Sequence, residues 1–359
     1  MTKIITIIGT RPEIIRLSRI IPLLDATNEN ILVHTGQNYD FELDKIFFNE
    51  LKVRKPNYYL GAKGSFANQL SVITRKLEKI ILKEKPTKFI VLGDTNSSLG
   101  AVIAKRLKVK VYHLEAGNRS YLKHSPEEVN RRIIDHTSDI NMPYTKRSCE
   151  NLVSEGIKRK DIFIIGNPIF EVINYYKNEI VKSPILKKLK LTSNKYALCT
   201  LHREENVDQK ERLQEYFNLL NQFTRASNIP VVFSVHPRTK KNIKKFKIFI
   251  PKNVILINPL GFIDFLNLEM NSKFLVTDSG TVQEEASIIG KLCFIFREST
   301  ERPETIENGD SIIINKKISS LKYLKNLINL NHNSKPIPDY NISNVSQIVA
   351  NIVNSDLKL

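Results

Sequence analysis

The chain has 359 residues, of which 41% are hydrophobic and 26% charged, and its formal net charge at pH 7 is +18. That length exceeds one ordinary compact core and predicts about two domains. No stretch approaches the roughly 18 uninterrupted apolar residues of a membrane span, and the three cysteines lack the paired spacing of a zinc site or a disulfide framework. These features argue against a membrane-spanning protein and a disulfide scaffold, and the early polar residues of MTKIITIIGTRPE predict a cytoplasmic protein without a secretory signal.

The positive charge is scattered along the chain, and KKNIKKFK at residues 240–247 is the one dense basic patch. A solvated basic surface, attraction to a small anionic substrate, and a polyanion or membrane-surface partner are the three interpretations of this charge. Because the lysines are poorly clustered, we expect the first and do not expect a nucleic-acid partner.

Short apolar runs rich in β-branched residues alternate with helix-patterned segments, which is typical of parallel strands covered by helices. The first series of predicted strands covers residues 3–8, 31–35, 89–92, 109–114 and 161–166. A Lys-rich connection at 178–195 separates it from the second series, at 196–200, 230–235, 253–257, 273–277, 292–296 and 311–314. The pattern predicts an α/β fold of two α/β/α domains, with ligand beyond the carboxyl ends of the strands and in the cleft between the domains.

Polar residues that directly follow a strand carry the most weight, because that edge of a parallel sheet faces the ligand. In the first series they form GTRPE at 9–13, GDTNSSLG at 93–100 and HLEAGNRS at 113–120, with SPEEVNRR at 125–132. Arg11 at a helix start would favour an anion, and Glu115 at a strand end is expensive to bury unless it is paired or working. The alternatives are a plain turn with a solvated Arg11, an N-cap role for Asp94, and a structural salt-bridge network around Glu115.

The second series adds LHREEN at 201–206, VHPRT at 235–239, and VTDSGTVQEEASIIG at 276–290 with STERPE at 299–304. His202 is placed to carry a proton or to contact phosphate. The helix that starts after Ser279 would offer free N–H groups to a phosphate, and a carboxylate one turn later, Glu284 or Glu285, could accept hydrogen bonds from a ribose diol. The alternative is a capped helix with acidic residues in its first turns.

In order, the motifs GTRPE, HTGQNYD, GDTNS, EAGNR, PEEVNRR, HREEN, HPRT and DSGTVQEEA with ERPE resemble the non-hydrolysing UDP-N-acetylglucosamine 2-epimerases. The resemblance runs from the first strand to about residue 310. It implies two Rossmann-like domains in a GT-B-type architecture: residues 1–175, with a C-terminal helix at 341–359 packing back on them, and a UDP-binding domain at 176–340. It also implies a UDP-sugar substrate, a homodimer, no cofactor, no metal, and a role in surface polysaccharide synthesis.

The resemblance also assigns roles to residues. Asp94, Glu115 and Glu127 match the family's essential acids, and His202 matches its essential histidine. The UDP-binding set comprises Arg11, His236, Ser279, Gly280, Glu285 and Arg302. The implied reaction eliminates UDP as C2 loses its proton, gives a bound 2-acetamidoglucal, and re-adds UDP after protonation on the other face; the acid that removes the proton is left open.

Two departures from the family stand out. Arg16 occupies a position that is often Lys, and GQNYD at 36–40 replaces the common GQHRE, which leaves open whether substrate also activates the enzyme. HTGQNYD, LGDTNSS, EAGNR and HREENVD resemble more closely a branch that acts on 6-deoxy UDP-N-acetylhexosamines in UDP-N-acetyl-L-fucosamine synthesis. A hydrolysing 2-epimerase, a GT-B glycosyltransferase and, on charge alone, a polyanion-binding protein are the rival interpretations.

Overall fold

The computed structural model describes residues 2–37, 41–122, 125–314, 320–330 and 335–355, with side chains from residue 45 onward in the second range. The chain divides into two compact units. The first is Met1–Tyr175 with Pro338–Leu359, and the second is Tyr176–Ile337. Each unit is built on its own parallel sheet.

Both sheets have six strands. The strands of the first unit are β1 Lys3–Ile8, β2 Glu29–His34, β3 Tyr58–Tyr59, β4 Lys88–Leu92, β5 Lys110–Leu114 and β6 Ile140–Met142. Those of the second unit are β7 Ala197–Thr200, β8 Val231–Ser234, β9 Val254–Ile257, β10 Leu275–Thr277, β11 Cys293–Ile295 and β12 Ser311–Ile313. The orders are β3-β2-β1-β4-β5-β6 and β12-β11-β10-β7-β8-β9, so each sheet has the doubly wound arrangement of a Rossmann fold.

Helices connect the strands in both units. The first unit contains α1 Arg11–Leu17, α2 Ile20–Thr27, α3 Phe41–Glu50, α4 Phe66–Glu84, α5 Gly100–Arg106, α6 Pro126–Thr137, α7 Lys146–Ser154 and α8 Pro168–Tyr175. The second contains α9 Lys177–Val181, α10 Ile185–Lys188, α11 Glu204–Val207, α12 Lys210–Ser227, α13 Pro237–Phe246, α14 Phe262–Asn271, α15 Gly280–Ile288, α16 Pro303–Glu307 and α17 Leu321–Ile328. The last helix, α18 Val345–Asn354, belongs to the first unit.

The central strands are apolar on both faces because helices cover both sides of each sheet. Ile4, Ile5, Ile7 and Ile8 of β1 are all at most 1% exposed, and β1 pairs in parallel with β2 on one side and β4 on the other. A β-branched run of this kind fits a strand that is buried on both faces. The α/β fold class with two Rossmann-like units is therefore confirmed.

The edge of the first sheet differs from the prediction. The segment 161–166 was predicted to be a strand, but only Ile162 forms a bridge, to Asn141, and the sixth strand is β6. The two-residue β3 was not predicted either. The strand β3 is too short to show a pattern. The apolar residues of β6 are interrupted by Asn141, whose side-chain amide donates to the Asp135 carbonyl oxygen at 3.1 Å.

Helix α18 packs on the first unit, against α2 and α8. The Asn28 side-chain amide donates to Asn354 Oδ1 at 2.9 Å, and the Ser346 N–H donates to Glu171 Oε2 at 2.7 Å. The helix occupies the middle of the predicted range 341–359, and residues 356–359 lie outside the described residues. No helix in the described ranges is long and apolar enough to cross a membrane.

Gly117, in the EAGNR motif after β5, packs closely against α7. A Cβ at Gly117 would lie 2.1 Å from the Ser148 carbonyl oxygen, whereas a Cβ at Gly156 would meet nothing within 4 Å. Both glycines have positive φ, 78° and 91°, so Ala at either position carries backbone strain of about 1 kcal/mol. We expect Gly117→Ala to lower the free energy of unfolding in urea by a further 1–3 kcal/mol or so through overpacking, relative to Gly156→Ala. Equal losses for the two variants would contradict close packing of Gly117 against α7.

Candidate active site

Several of the sequence-predicted residues follow the strands that flank the topological switch point of each sheet. The strand order reverses between β1 and β4 in the first sheet and between β7 and β10 in the second. Ligands of doubly wound folds bind beyond the carboxyl ends of the strands at such points. Arg11 and Asp94 follow β1 and β4, and His202 and Ser279 follow β7 and β10. Each unit therefore presents its predicted polar residues at the expected edge.

Glu13 joins the two loops at the switch point of the first sheet. Its carboxylate accepts from the Gly9 N–H at 2.5 Å, the Thr10 N–H at 2.8 Å and the Thr95 hydroxyl at 2.6 Å. Burial outweighs these hydrogen bonds and raises the pKa of the Glu13 carboxyl to about 7. Glu13 was not among the predicted site residues, although Thr10 to Glu13 has the T-x-x-E spacing of a capping box and Glu13 accepts from the Thr10 N–H.

Glu115 is buried at the end of β5 in an ion pair with Arg16. Arg16 Nη1 lies 2.6 Å from Glu115 Oε2, and the two side chains are 4% and 3% exposed. The Glu115 backbone has a φ of 67°, which is unusual for a residue with a Cβ and is typical of functional sites. The arginine at the position that departs from the family therefore faces a predicted catalytic acid, and its charge offsets the cost of burying that acid.

Asp94 is held by α6. Its carboxylate forms an ion pair with Arg131, whose Nη1 also lies 3.6 Å from Glu128 Oε2. The Asn130 amide donates to the Asp94 carbonyl oxygen at 2.9 Å. The N-cap of the following short 3₁₀ helix, Asn96–Leu99, is Thr95 and not Asp94. The N-cap alternative for Asp94 is therefore wrong, and its carboxylate is positioned by an arginine.

Glu127 and Arg11 are half-buried and therefore more exposed than Glu115. Glu127 is half-buried in the first turn of α6, and its carboxylate accepts from the Ser125 hydroxyl at 2.6 Å. Its neighbour Glu128 is the buried acid of that turn and accepts from the Ser120 N–H at 2.9 Å. The Arg11 guanidinium lies 5.9 Å from the ring centroid of Phe47.

A buried charge network that sequence reasoning missed supports the loop after β4. His113 Nδ1 lies 2.9 Å from Asp135 Oδ1, and its Nε2 lies 3.0 Å from the Gly93 carbonyl oxygen. Arg119 Nη2 donates to Asp135 Oδ2 at 2.7 Å and to Glu155 Oε2 at 2.5 Å. Burial would raise the pKa of the Asp135 carboxyl, but His113 and Arg119 lower it below its ordinary value. The only sequence signal was the presence of charges inside an otherwise apolar strand and loop.

Asp278 plays the joining role in the second unit. Its buried carboxylate accepts from the His202 N–H at 3.1 Å, the Arg203 N–H at 3.0 Å and the Asn206 amide at 2.9 Å. His202 Nδ1 lies 3.2 Å from Asp278 Oδ1. Burial opposes ionisation, but His202 and these donors outweigh it and lower the pKa of Asp278 to about 2. The His202 ring is 43% exposed and lies 5.9 Å, centroid to centroid, from the ring of His236, which caps α13.

The start of α15 is enclosed by charged residues. Ser279 is its N-cap and Gly280 its first residue. A Cβ on Gly280 would lie 2.9 Å from Glu301 Oε1 and 3.2 Å from Arg302 Cζ, so a larger residue would require these two side chains to shift. Arg302 Nε lies 2.8 Å from Glu284 Oε1, in a pair that is at least 96% buried on both sides. Of the two adjacent glutamates, Glu284 therefore holds an arginine beside the helix N-terminus.

Glu285 lies on the same helix and is 3% exposed. Glu269 on α14 is completely buried, and burial, reinforced by the nearby Glu285, raises the pKa of its carboxyl well above the ordinary value. Within the described ranges, no three His, Cys, Asp or Glu side chains form a group that could hold a metal ion. The three cysteines are buried and form no disulfide.

Two Rossmann-like units define the class: a GT-B-type α/β protein with buried acids at the carboxyl ends of the strands in one unit and a charged helix N-terminus in the other. The family model for UDP-N-acetylglucosamine 2-epimerase matches residues 24–354. On this evidence the chain belongs to the UDP-N-acetylglucosamine 2-epimerase family, and it is an epimerase.

Individual relatives with similar sequences and structures support this family assignment. A UDP-N-acetylglucosamine 2-epimerase of Methanocaldococcus jannaschii is 40% identical over 346 residues, which cover 93% of this chain and 94% of the relative. A UDP-2,3-diacetamido-2,3-dideoxy-D-glucuronate 2-epimerase of Pseudomonas aeruginosa is 36% identical over 87% of this chain and 88% of the relative. The crystal structure of Methanocaldococcus jannaschii UDP-GlcNAc 2-epimerase in complex with UDP-GlcNAc and UDP has a TM-score of 0.91 and 37% identity, and the match covers 98% of this chain and 99% of that one.

The raised pKa of Glu13 predicts a pH dependence of stability. The folded protein keeps this carboxyl protonated up to a pH of about 7, whereas its ordinary pKa is 4.5. Its contribution is therefore fully present below about 4.5 and is lost as the pH rises through 7, by about 3 kcal/mol. We expect Glu13→Gln to remove this loss, so the difference in free energy of unfolding between variant and wild type should change by that amount between pH 4.5 and 8. A constant difference would show that Glu13 ionises normally in the folded state.

Proposed function

We propose that the chain interconverts UDP-N-acetylglucosamine and UDP-N-acetylmannosamine by inverting C2 of the sugar, with UDP retained in the product. The observation that carries this proposal is Glu115, a buried strand-end acid on a strained backbone, paired with Arg16. A buried acid with such a partner at the ligand edge of a doubly wound sheet fits proton transfer better than a purely structural role. The names of the relatives support the choice of substrate.

The proposed chemistry explains why several acids are needed. The C2 hydrogen of the sugar is not acidic, so its removal is coupled to breaking the bond between C1 and the UDP oxygen. The electron pair of the C–H bond forms the C1–C2 double bond of 2-acetamidoglucal, and UDP leaves with the C–O bonding pair. A proton then arrives at C2 from the other face and UDP re-adds at C1. Asp94, Glu115 and Glu127, with His202, are the proposed proton-transfer groups, and the identity of the C2 base is left open.

The surrounding charges suit that chemistry. Arg16 and Arg131 face Glu115 and Asp94, and an adjacent arginine favours the ionised, proton-accepting form of a carboxylate. The elimination step also requires that the departing pyrophosphate be stabilised as it gains charge, which preorganised cations and N–H donors do well. The reaction as proposed uses no cofactor and no metal.

The second unit supplies most of the proposed UDP site. Ser279 and Gly280 at the start of α15, with Arg302 beside them, would bind the pyrophosphate. Glu285 is assigned to the ribose hydroxyls and His236 to the nucleotide. Arg11, at the start of α1, is also assigned to UDP.

The exact sugar is part of the proposal. The Pseudomonas aeruginosa relative is named for a different UDP-linked sugar from the Methanocaldococcus jannaschii one. A 6-deoxy UDP-N-acetylhexosamine is the second candidate, and it is favoured by the motifs HTGQNYD and HREENVD. Residues 38–40 of the first motif, which contain the whole departure from GQHRE, lie outside the described residues. A homodimer, a cytoplasmic location and a role in surface polysaccharide synthesis belong to the same proposal.

Incubation of the protein with UDP-N-acetylglucosamine alone, followed by chromatography of nucleotides and sugars, tests this function. We expect a mixture of two UDP-linked epimers and no net release of UDP. Free UDP with N-acetylmannosamine would identify a hydrolysing enzyme instead. No reaction until an acceptor is added would identify a glycosyltransferase, and reaction only with a 6-deoxy UDP-sugar would select the second candidate.

Substitution of the strand-end acids should separate catalysis from binding. We expect Asp94→Asn and Glu115→Gln each to lower kcat by roughly 10³-fold, within the range of proton-transfer catalysis, and to change UDP affinity by less than about threefold. The amide oxygen of either variant still accepts from Arg131 or Arg16, so the fold is kept. Asp25→Asn is the matched control, because Asp25 also pairs with an arginine, Arg54, at 2.8 Å, and lies outside the proposed site. Near-normal turnover in either acid variant would remove that residue from the mechanism.

A further inference from the structure

Thr95 directly follows Asp94, and its side chain reaches across to the neighbouring loop. The Thr95 hydroxyl donates to Glu13 Oε1 at 2.6 Å, although the two residues are 82 positions apart in the sequence. Glu13 Oε2 accepts from the N–H groups of Gly9 and Thr10, at 2.5 Å and 2.8 Å. One buried carboxyl group therefore fixes Thr95 to the backbone that follows β1.

The Thr95 hydroxyl is not used for local structure. Thr95 is the N-cap of the 3₁₀ helix Asn96–Leu99, and an N-cap threonine ordinarily accepts a hydrogen bond from an N–H of the helix that it caps. Its side chain makes no such bond and donates to Glu13 instead. The hydroxyl therefore connects two loops and does not stabilise the helix that follows it.

Asp94 is held between two fixed neighbours. On one side, the Gly93 carbonyl oxygen lies 3.0 Å from Nε2 of the buried His113. On the other side is Thr95 with its cross-loop hydrogen bond. The Asp94 carboxylate itself forms an ion pair with Arg131. A shift of Thr95 would move Asp94 relative to this arginine.

The contact between Thr95 and Glu13 does not depend on the charge of Glu13. Burial raises the pKa of the Glu13 carboxyl to about 7, and the nearby charge of Asp94 contributes to that rise. Both the ionised and the protonated carboxyl group can hydrogen bond to a hydroxyl, since a hydroxyl donates and accepts. The two loops therefore stay joined in either protonation state.

We propose that Thr95 and Glu13 are positioning residues for the reaction, and that their hydrogen bond sets the place of the Asp94 carboxylate for proton transfer. They act through Asp94 and take no part in the proton transfer themselves. Placement of this kind has a large effect, because a shift of about 1 Å at a reacting group can lower a rate on the order of 10²-fold. This inference rests on the proposed function, in which Asp94 is a proton-transfer group.

The test measures kcat for epimerisation of UDP-N-acetylglucosamine and the Kd for UDP. Thr95→Val keeps the shape of the side chain but removes the hydroxyl, and we expect it to lower kcat by roughly 10- to 100-fold. The Kd for UDP should stay within about threefold of wild type, because most of the proposed UDP contacts lie in the second unit. Thr95→Ser keeps the hydroxyl and should recover kcat to within about threefold of wild type.

Thr74→Val is the matched control. The Thr74 hydroxyl donates to the Leu70 carbonyl oxygen at 2.7 Å within α4, so this variant loses a similar hydrogen bond outside the proposed site. We expect its kcat to stay within about twofold of wild type.

A double-mutant cycle shows whether Thr95 acts through Asp94. In the Asp94→Asn background, Thr95→Val should lower kcat by less than about threefold more, because the group that it positions is already inactive. The full loss in that background would show that Thr95 acts elsewhere, and the inference would be wrong.

The remaining outcomes separate the two proposals. If the wild type epimerises the sugar and Thr95→Val has wild-type kcat, this inference is wrong and the proposed function stands. Equal losses in Thr95→Val and Thr95→Ser would show that the hydroxyl is not responsible, which also overturns the inference. If the wild type does not epimerise a UDP-sugar, the proposed function is wrong and the inference falls with it.

A second variant applies if Thr95→Val does not fold. Thr95→Ala removes the hydroxyl without placing a methyl group against the Glu13 carboxyl, and it differs from Thr95→Ser only by the hydroxyl. We expect Thr95→Ala to have a kcat roughly 10- to 100-fold below that of Thr95→Ser. The same kcat in both variants would contradict the inference.

Discussion

A buried charge requires a partner, and this requirement determines how the functional edge of each sheet is built. At the switch point of the first sheet, the carboxylate of Glu13 follows β1 and accepts from Thr95, which follows β4. At the switch point of the second, the carboxylate of Asp278 follows β10 and accepts from the backbone of His202 and Arg203, which follow β7. In both units one buried acid ties together the two loops that a doubly wound fold places next to its ligand.

The pKa values of the two joining acids are shifted in opposite directions because their surroundings differ. Glu13 has only neutral donors and an acidic neighbour, Asp94, so burial raises its pKa to about 7. Asp278 faces the side chain of His202, which keeps the carboxylate ionised with a pKa of about 2. The charge of Asp278 orients His202 while the ring itself remains 43% exposed. A fixed but accessible imidazole is the arrangement that a proton carrier or a phosphate ligand needs.

Much of this structure could be predicted from the sequence, because parallel strands buried on both faces leave continuous apolar runs. The six strands of the second unit were all predicted, and the polar residues after the strands led to Asp94, Glu115 and His202. The strand β3 was missed because it has two residues, and β6 was missed because the polar Asn141 interrupts its three residues, whereas the equally short β10 and β11 lie in apolar runs. The extended segment 161–166 has a strand-like composition but pairs only at Ile162.

Partners that are distant in sequence could not be predicted. The pairing of Arg16 with Glu115 spans 99 positions, and nothing in either local pattern indicates it. Glu13 and Asp278 lay inside the motifs that were singled out, but an acid near a helix start reads as an ordinary cap until its cross-strand donors are seen. Glu269 gave no signal at all, since an acid in a helical pattern is normally expected on the solvent side. The roles assigned to the site residues, Glu127 and Glu285 included, all stay predictions.

Solvent exchange at the reacting carbon tests most directly whether these strand-end acids act on C2 of a UDP-sugar. The measurement is proton NMR of the protein with UDP-N-acetylglucosamine in D₂O, followed at the C2 position and in the anomeric region. We expect deuterium to appear at C2 together with a manno epimer that still carries UDP. A manno epimer that retains its original C2 proton would contradict proton removal by these acids, as would conversion that occurs only with release of UDP.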